Sequence, residues 1–228
     1  YTLANFDFEV VRFTFVFKAG SSMQTKPFSA SATANMLGEG STSLTAQQIA
    51  EQLDFYGSYY DVNIDRDFTY ISFCSLKKFF VPTMEVAREI LLHPTFPEHE
   101  FEVYCQKRKQ SLIIVRKKVD MQSREMFSEA LFGPNHPYGI STDENMYDEL
   151  TTSDLRELYH RLYTAENAFV VCSGNIDDDL YCAIENLASQ LRSGESVDVD
   201  FVAPTTTHYL ERNIDSALQS SIRVGRLL

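Results

Sequence analysis

The sequence predicts an α+β fold in which an antiparallel sheet is covered by helices on one face. Three observations carry that prediction. Residues 8–18 (FEVVRFTFVFK) alternate, putting Val11, Phe13, Phe15 and Phe17 on one side of a half-buried strand. Two strand-like stretches, 58–64 and 67–76, are joined by Asp65-Arg66 alone, as in a hairpin. Runs of helical periodicity separate these strands, in the order strand, helix, helix, hairpin, several helices, strand, helix.

Taken in order, the opening strand ends at Gly20, and a helix of small residues follows from Pro27 to Leu37, with Pro at its start and Gly38 just beyond its end. Thr45-Ala46-Gln47-Gln48 reads as a capping box opening a second helix that runs to Tyr56 and closes at Gly57. After the hairpin, Val81–Leu92 is a helix ended by His93-Pro94. A longer helix is expected from Glu98 toward Val119, with Phe101, Cys105, Leu112, Val115 and Val119 on one face. Arg108 falls on that face, its stem packing while its guanidinium reaches for water. A helix over 121–132 leads to the turn 133–139. Thr151/Thr152-Ser153-Asp154 caps the next helix, and residues 167–174 read as a buried strand. Asp177-Asp178-Asp179 suit the positive start of a helix over 177–192. Strand-like runs at 205–212 and 218–225 close the sequence.

Composition narrows the function. The 228 residues carry 20 Lys and Arg against 32 Asp and Glu, a net charge of −12. That balance excludes a nucleic-acid binder, which needs a basic surface to neutralise phosphates. No apolar run is long enough to span a membrane. Tyr1 is not an initiator Met and the sequence stops inside a strand-like run, so it reads as a piece of a longer protein with its compartment open.

Phosphate-loop, dinucleotide and nucleophile-elbow motifs are all missing. His93, His99, His136, His160 and His208 are scattered, with no pair at i, i+4, and read as surface or capping residues. Cys74, Cys105, Cys172 and Cys182 form no C-x-x-C pair and read as reduced packing residues. The basic residues 107–109 and 116–118, and the acidic group Asp143, Glu144, Asp148, Glu149 and Asp154, read as solvated faces.

One succession of segments is more telling. Lys18-Ala19-Gly20-Ser21-Ser22 is followed by a helix ending Met36-Leu37-Gly38-Glu39-Gly40-Ser41-Thr42. Then come Ile49-Ala50-Glu51-Gln52-Leu53 with Gly57, Asp67-Phe68-Thr69-Tyr70 and Pro94-Thr95-Phe96. Phe132-Gly133 with His136-Pro137-Tyr138-Gly139, Asn167-Ala168-Phe169-Val170-Val171 and Gly174-Asn175-Ile176 complete it. In order and spacing this resembles the N-terminal domain of the pitrilysin/insulinase-type zinc peptidases, the inverzincins, which include mitochondrial processing peptidase. The resemblance implies a peptidase-like domain over 1–203 and the start of a second, similar domain at 204–228.

Active members carry H-x-x-E-H on the helix before Met-Leu: two His ligands for zinc and the Glu that activates water. The corresponding residues here are Ser31, Ala32, Thr33, Ala34 and Asn35. Both His positions (Ser31, Asn35) and the base position (Ala34) are lost. A third ligand, a Glu, belongs further along, where Gln110-Ser111-Leu112-Ile113 offers none. Without a metal there is no acidified water, and Ser31 has no nearby His to activate it.

The resemblance therefore implies a non-catalytic, zinc-less half without cofactor. It pairs with a metal-bearing sister subunit, as a homo- or hetero-dimer, to enclose extended peptide, and zinc is expected only in that active partner. In active halves an edge strand before the Asp-Phe-Thr-Tyr-like run adds a strand of substrate to the sheet. Here it corresponds to Tyr59, Tyr60, Asp61, Val62, Asn63, Ile64 and Asp65. Two other readings stay open: a zinc endopeptidase whose metal motif lies outside these residues, and a structural scaffold subunit that handles no peptide.

Overall fold

A computed structural model describes residues 1–198, 209–215 and 217–227. They divide into two compact units, Tyr1–Glu102 with Leu150–Val197, and Val103–Glu149 with the described part of Asp198–Leu228. The boundary expected at 203/204 lies outside the described residues, as do His208 and the first part of the run 205–212. Residues 209–212 and 218–225 form no regular strand.

The first unit holds a five-stranded sheet of β1 (Thr2–Ala4), β2 (Val10–Phe17), β3 (Tyr59–Ile64), β4 (Thr69–Leu76) and β5 (Ala168–Gly174), in the order β1-β5-β2-β4-β3. All neighbours are antiparallel except β1 and β5. The short parallel β1 was not anticipated: three residues are too few to show alternation. Its helices are α1 (Ser29–Met36), α2 (Ala46–Phe55), α3 (Phe80–Leu92), α6 (Thr152–Leu162) and α7 (Asp178–Ser189), while α4 (Glu98–Arg116) leads into the second unit, which also holds α5 (Val119–Phe132).

The expected face of β2 is the core: Val11, Phe13, Phe15 and Phe17 are each fully buried, beside Ile71 and Phe73 of β4. Phe13 stacks on Phe73 at 5.1 Å and meets Phe80 of α3 edge-on at 5.7 Å, which ties sheet to helix. The other face is more open. Arg12 is exposed there, and Phe169 and Val171 of β5 are each 40% exposed. The expectation that β5 is wholly buried is therefore corrected, because helices cover only one side of it.

Capping signals hold where predicted. Thr45 and Gln48 form a reciprocal capping box, as do Thr151 and Asp154, and Asp177 caps α7. Gly57 adopts φ 59° after α2, a left-handed turn that suits glycine. The expected continuous helix to Val119 instead breaks after Arg116. There Gln122 Nε2 donates to the Arg116 carbonyl at 2.9 Å, and Arg116-Lys117-Lys118 complements the negative helix end. On α4 only Phe101 of the expected apolar stripe is buried, and Arg108 lies 5.3 Å over the Tyr104 ring.

In the second unit the charged segments are not merely solvated. Lys109 pairs with Asp148, and Arg116 with Glu125 at 3.3 Å and Glu144 at 3.7 Å. Among the described residues no helix is long and apolar enough to cross a membrane.

Candidate functional site

Helix α1 carries the motif positions, and its local sequence explains its form. Ser29, Ala30, Ala32, Thr33, Ala34 and Met36 are buried, so nearly every side of this short helix faces protein. Small residues let α1 lie close to its neighbours α6 and β3. Phe28, at the N-cap, takes a left-handed conformation with φ 67°, and its carbonyl accepts both the Ala32 N–H and the Ser31 hydroxyl.

The three departures from H-x-x-E-H have distinct geometries. Ser31 Oγ donates to the Phe28 carbonyl at 3.0 Å, so its hydroxyl is turned back onto the helix. Asn35, one turn on, donates from Nδ2 to the Ser31 carbonyl at 2.8 Å. Ala34, at the base position, is 0% exposed, with only a methyl group in a sealed place. Ser31 and Asn35 share one helix face, as two ligands would, and each donates a hydrogen bond to α1's own backbone. This donor set does not fit zinc, which takes imidazole, thiolate or carboxylate. At the third-ligand region Ser111 Oγ likewise donates to its own helix, to the Lys107 carbonyl at 2.9 Å. Among the described residues no group of three His, Cys, Asp or Glu is placed to hold a metal ion. His136 instead stacks on Phe132 at 5.0 Å and accepts the Tyr138 N–H at 3.0 Å, which orders its turn.

The expected peptide-binding stretch lies at a sheet edge, since among the described residues β3 pairs only with β4. Tyr59, Tyr60, Asp61, Val62, Asn63 and Ile64 form the strand. Asp65 lies beyond its end and builds the turn: Oδ1 accepts the Asp67 and Phe68 N–H groups at 2.8 and 2.7 Å, and Oδ2 accepts the Tyr70 hydroxyl at 3.0 Å. Tyr60 faces the helices, its ring 5.3 Å from Phe73 and close beneath Gly38. Its hydroxyl is buried without a hydrogen-bond partner among the described residues, a feature the sequence gives no means of finding.

Neither a family model nor a curated protein matches this sequence. Solved structures do. A peptidase M16 inactive domain from Pseudomonas fluorescens superposes with a TM-score of 0.84 at 19% identity, over 89% of this chain and 50% of that one. A protease from Helicobacter pylori gives 0.75 at 15%, over 89% and 51%. Pitrilysin gives 0.77 at 13%, over 90% and 23%. The chain thus has the fold of pitrilysin-type M16 peptidase domains, and its residues 31–35 do not form H-x-x-E-H. It spans about half the length of the first two structures.

Proposed function

We propose that this chain is a non-catalytic, zinc-less half of an M16-type peptidase, which pairs with an active sister half to enclose and bind extended peptide. The observation that carries the reading is the state of α1. The helix keeps its place in a peptidase-type fold, while Ser31 and Asn35 bond to its own backbone and Ala34 is sealed. Such a half contributes shape and peptide contacts, with the free edge of β3 as the place where a substrate strand adds. Zinc belongs to the partner alone.

The test is metal analysis of the purified chain, with mass identification of whatever accompanies it. No stoichiometric zinc is expected in the chain alone, and adding a sister bearing H-x-x-E-H should restore cleavage of an unstructured peptide. Stoichiometric zinc in the isolated chain overturns the reading. Because the chain spans about half of the first matched structures, a second reading puts the metal motif in the other half of the same polypeptide. Finding H-x-x-E-H in the flanking sequence decides for it. A scaffold that handles no peptide is the outcome if the assembled complex forms and binds none.

A further inference from the structure

The free edge of β3 has a chemistry of its own. The Asp65 N–H donates to the Phe68 carbonyl at 2.9 Å, so Asp65 turns its N–H toward the partner arm of the hairpin. An antiparallel ladder alternates, so Asn63, Asp61 and Tyr59 turn their backbone groups toward β4. Tyr60, Val62 and Ile64 then direct theirs to the open edge. A strand added antiparallel would exchange hydrogen bonds with Tyr60, Val62 and Ile64. Its residue opposite Asp61 would occupy a non-hydrogen-bonded position, where side chains come closest.

Asp61 is only partly buried, and it has no ion-pair partner among the described residues. Tyr60 faces the helices, so Asp61 lies on the opposite, open face with Tyr59 and Asn63. The cation of that face, Arg12, donates from Nη2 to Ser72 Oγ at 3.2 Å instead, and Ser72 is the cross-strand neighbour of Asp61. The residues on either side, Tyr60 and Val62, are half-buried and largely apolar.

We infer that the β3 edge selects extended peptides that place a Lys or Arg opposite Asp61 and apolar side chains at the two flanking positions. The inference rests on the edge-strand reading above and adds the charge and pattern of the peptide. An acidic residue opposite Asp61 is disfavoured, and the preference weakens as salt screens the pair.

The test uses the protein with its associated subunit and three labelled nonapeptides, read by fluorescence anisotropy. One alternates Val and Thr with a central Lys on the Thr face, the second has Glu there, and the third is the Lys peptide N-methylated at two Val amides. The Lys peptide should bind roughly two- to fivefold tighter than the Glu peptide, the range of a directly opposed charge pair. Asp61→Asn should erase that difference, and N-methylation should abolish binding. Equal affinities for Lys and Glu peptides, with N-methylation still blocking, overturn the selection while the edge reading stands; Asp61 is then a charge that guards the edge against aggregation. Binding of none of the peptides, or full binding of the N-methylated one, overturns the edge reading and the inference with it.

Discussion

Gly38 sits against the ring of Tyr60, so close that a β-carbon on it would lie 2.8 Å from Tyr60 Cε1. The glycine that ends the motif helix thus lets β3 and its aromatic ring approach α1. Gly38→Ala should destabilise the fold by about 1–3 kcal/mol, the usual cost of overpacking. Tyr60→Phe should be neutral or stabilising by up to about 1 kcal/mol, because it removes a buried hydroxyl with no partner among the described residues. Paired chemical denaturation of the two variants checks both, and a large loss in Tyr60→Phe would show that the hydroxyl is bonded after all.

Alkaline pH should expose the same residue. Burial raises the Tyr60 and Tyr163 hydroxyls well above the ordinary tyrosine range. Unfolded tyrosines ionise near pH 10, so above that pH the unfolded state has lost protons that the folded state keeps. Stability is therefore intact below about pH 10 and falls above it, by about 1.4 kcal/mol per pH unit for each such tyrosine. Denaturation midpoints measured between pH 9 and 11 should fall, and less steeply in Tyr60→Phe.

Most of the first unit was legible because its signals are local. Alternation in β2, the succession of two hairpin strands and the capping boxes at Thr45 and Thr151 each depend on a few neighbouring residues, although the link between the strands spans residues 65–68 and not Asp65-Arg66 alone. What escaped depends on distant partners. β1 exists only because β5 offers it an edge, and the break after Arg116 is stabilised by Gln122 reaching back. Likewise the absence of ligand side chains at Ser31, Ala34 and Asn35 is plain in the sequence. The hydrogen bonds of Ser31 and Asn35 to the helix backbone, and the closure around Ala34, are not.

Asp154 links a cap to an ion pair. Its Oδ2 accepts the Thr151 N–H at 2.8 Å and the Lys26 ammonium at 2.9 Å. Burial works to raise its pKa, but the bonds from Lys26 and Thr151 outweigh it and hold the carboxyl below the usual range. This stabilisation is complete above the unfolded aspartate value near 3.9 and is lost as pH falls through the depressed folded value. Acid melting curves should show the loss in the natural chain and a shallower one in Asp154→Asn. Thr151→Ala, which removes the other half of the box, should cost about 1 kcal/mol at neutral pH.

Restoring the lost base tests how far α1 has been closed. Ala34 is 0% exposed, and on the same helix Thr33 reaches the Leu155 carbonyl of α6 at 3.5 Å. A carboxylate at position 34 would be desolvated, with no cation placed to receive it by the exchange. Ala34→Glu should therefore destabilise the fold on the order of 3 kcal/mol, the scale of an uncompensated buried charge. The loss should shrink at acidic pH, where the new carboxyl protonates. Ala34→Ser, small and able to bond back to the helix as Ser31 does, should be tolerated. If thermal melts show Ala34→Glu as stable as the natural chain, then α1 still has room for the catalytic side chain. Its absence would then be a matter of sequence alone and not of a closed helix.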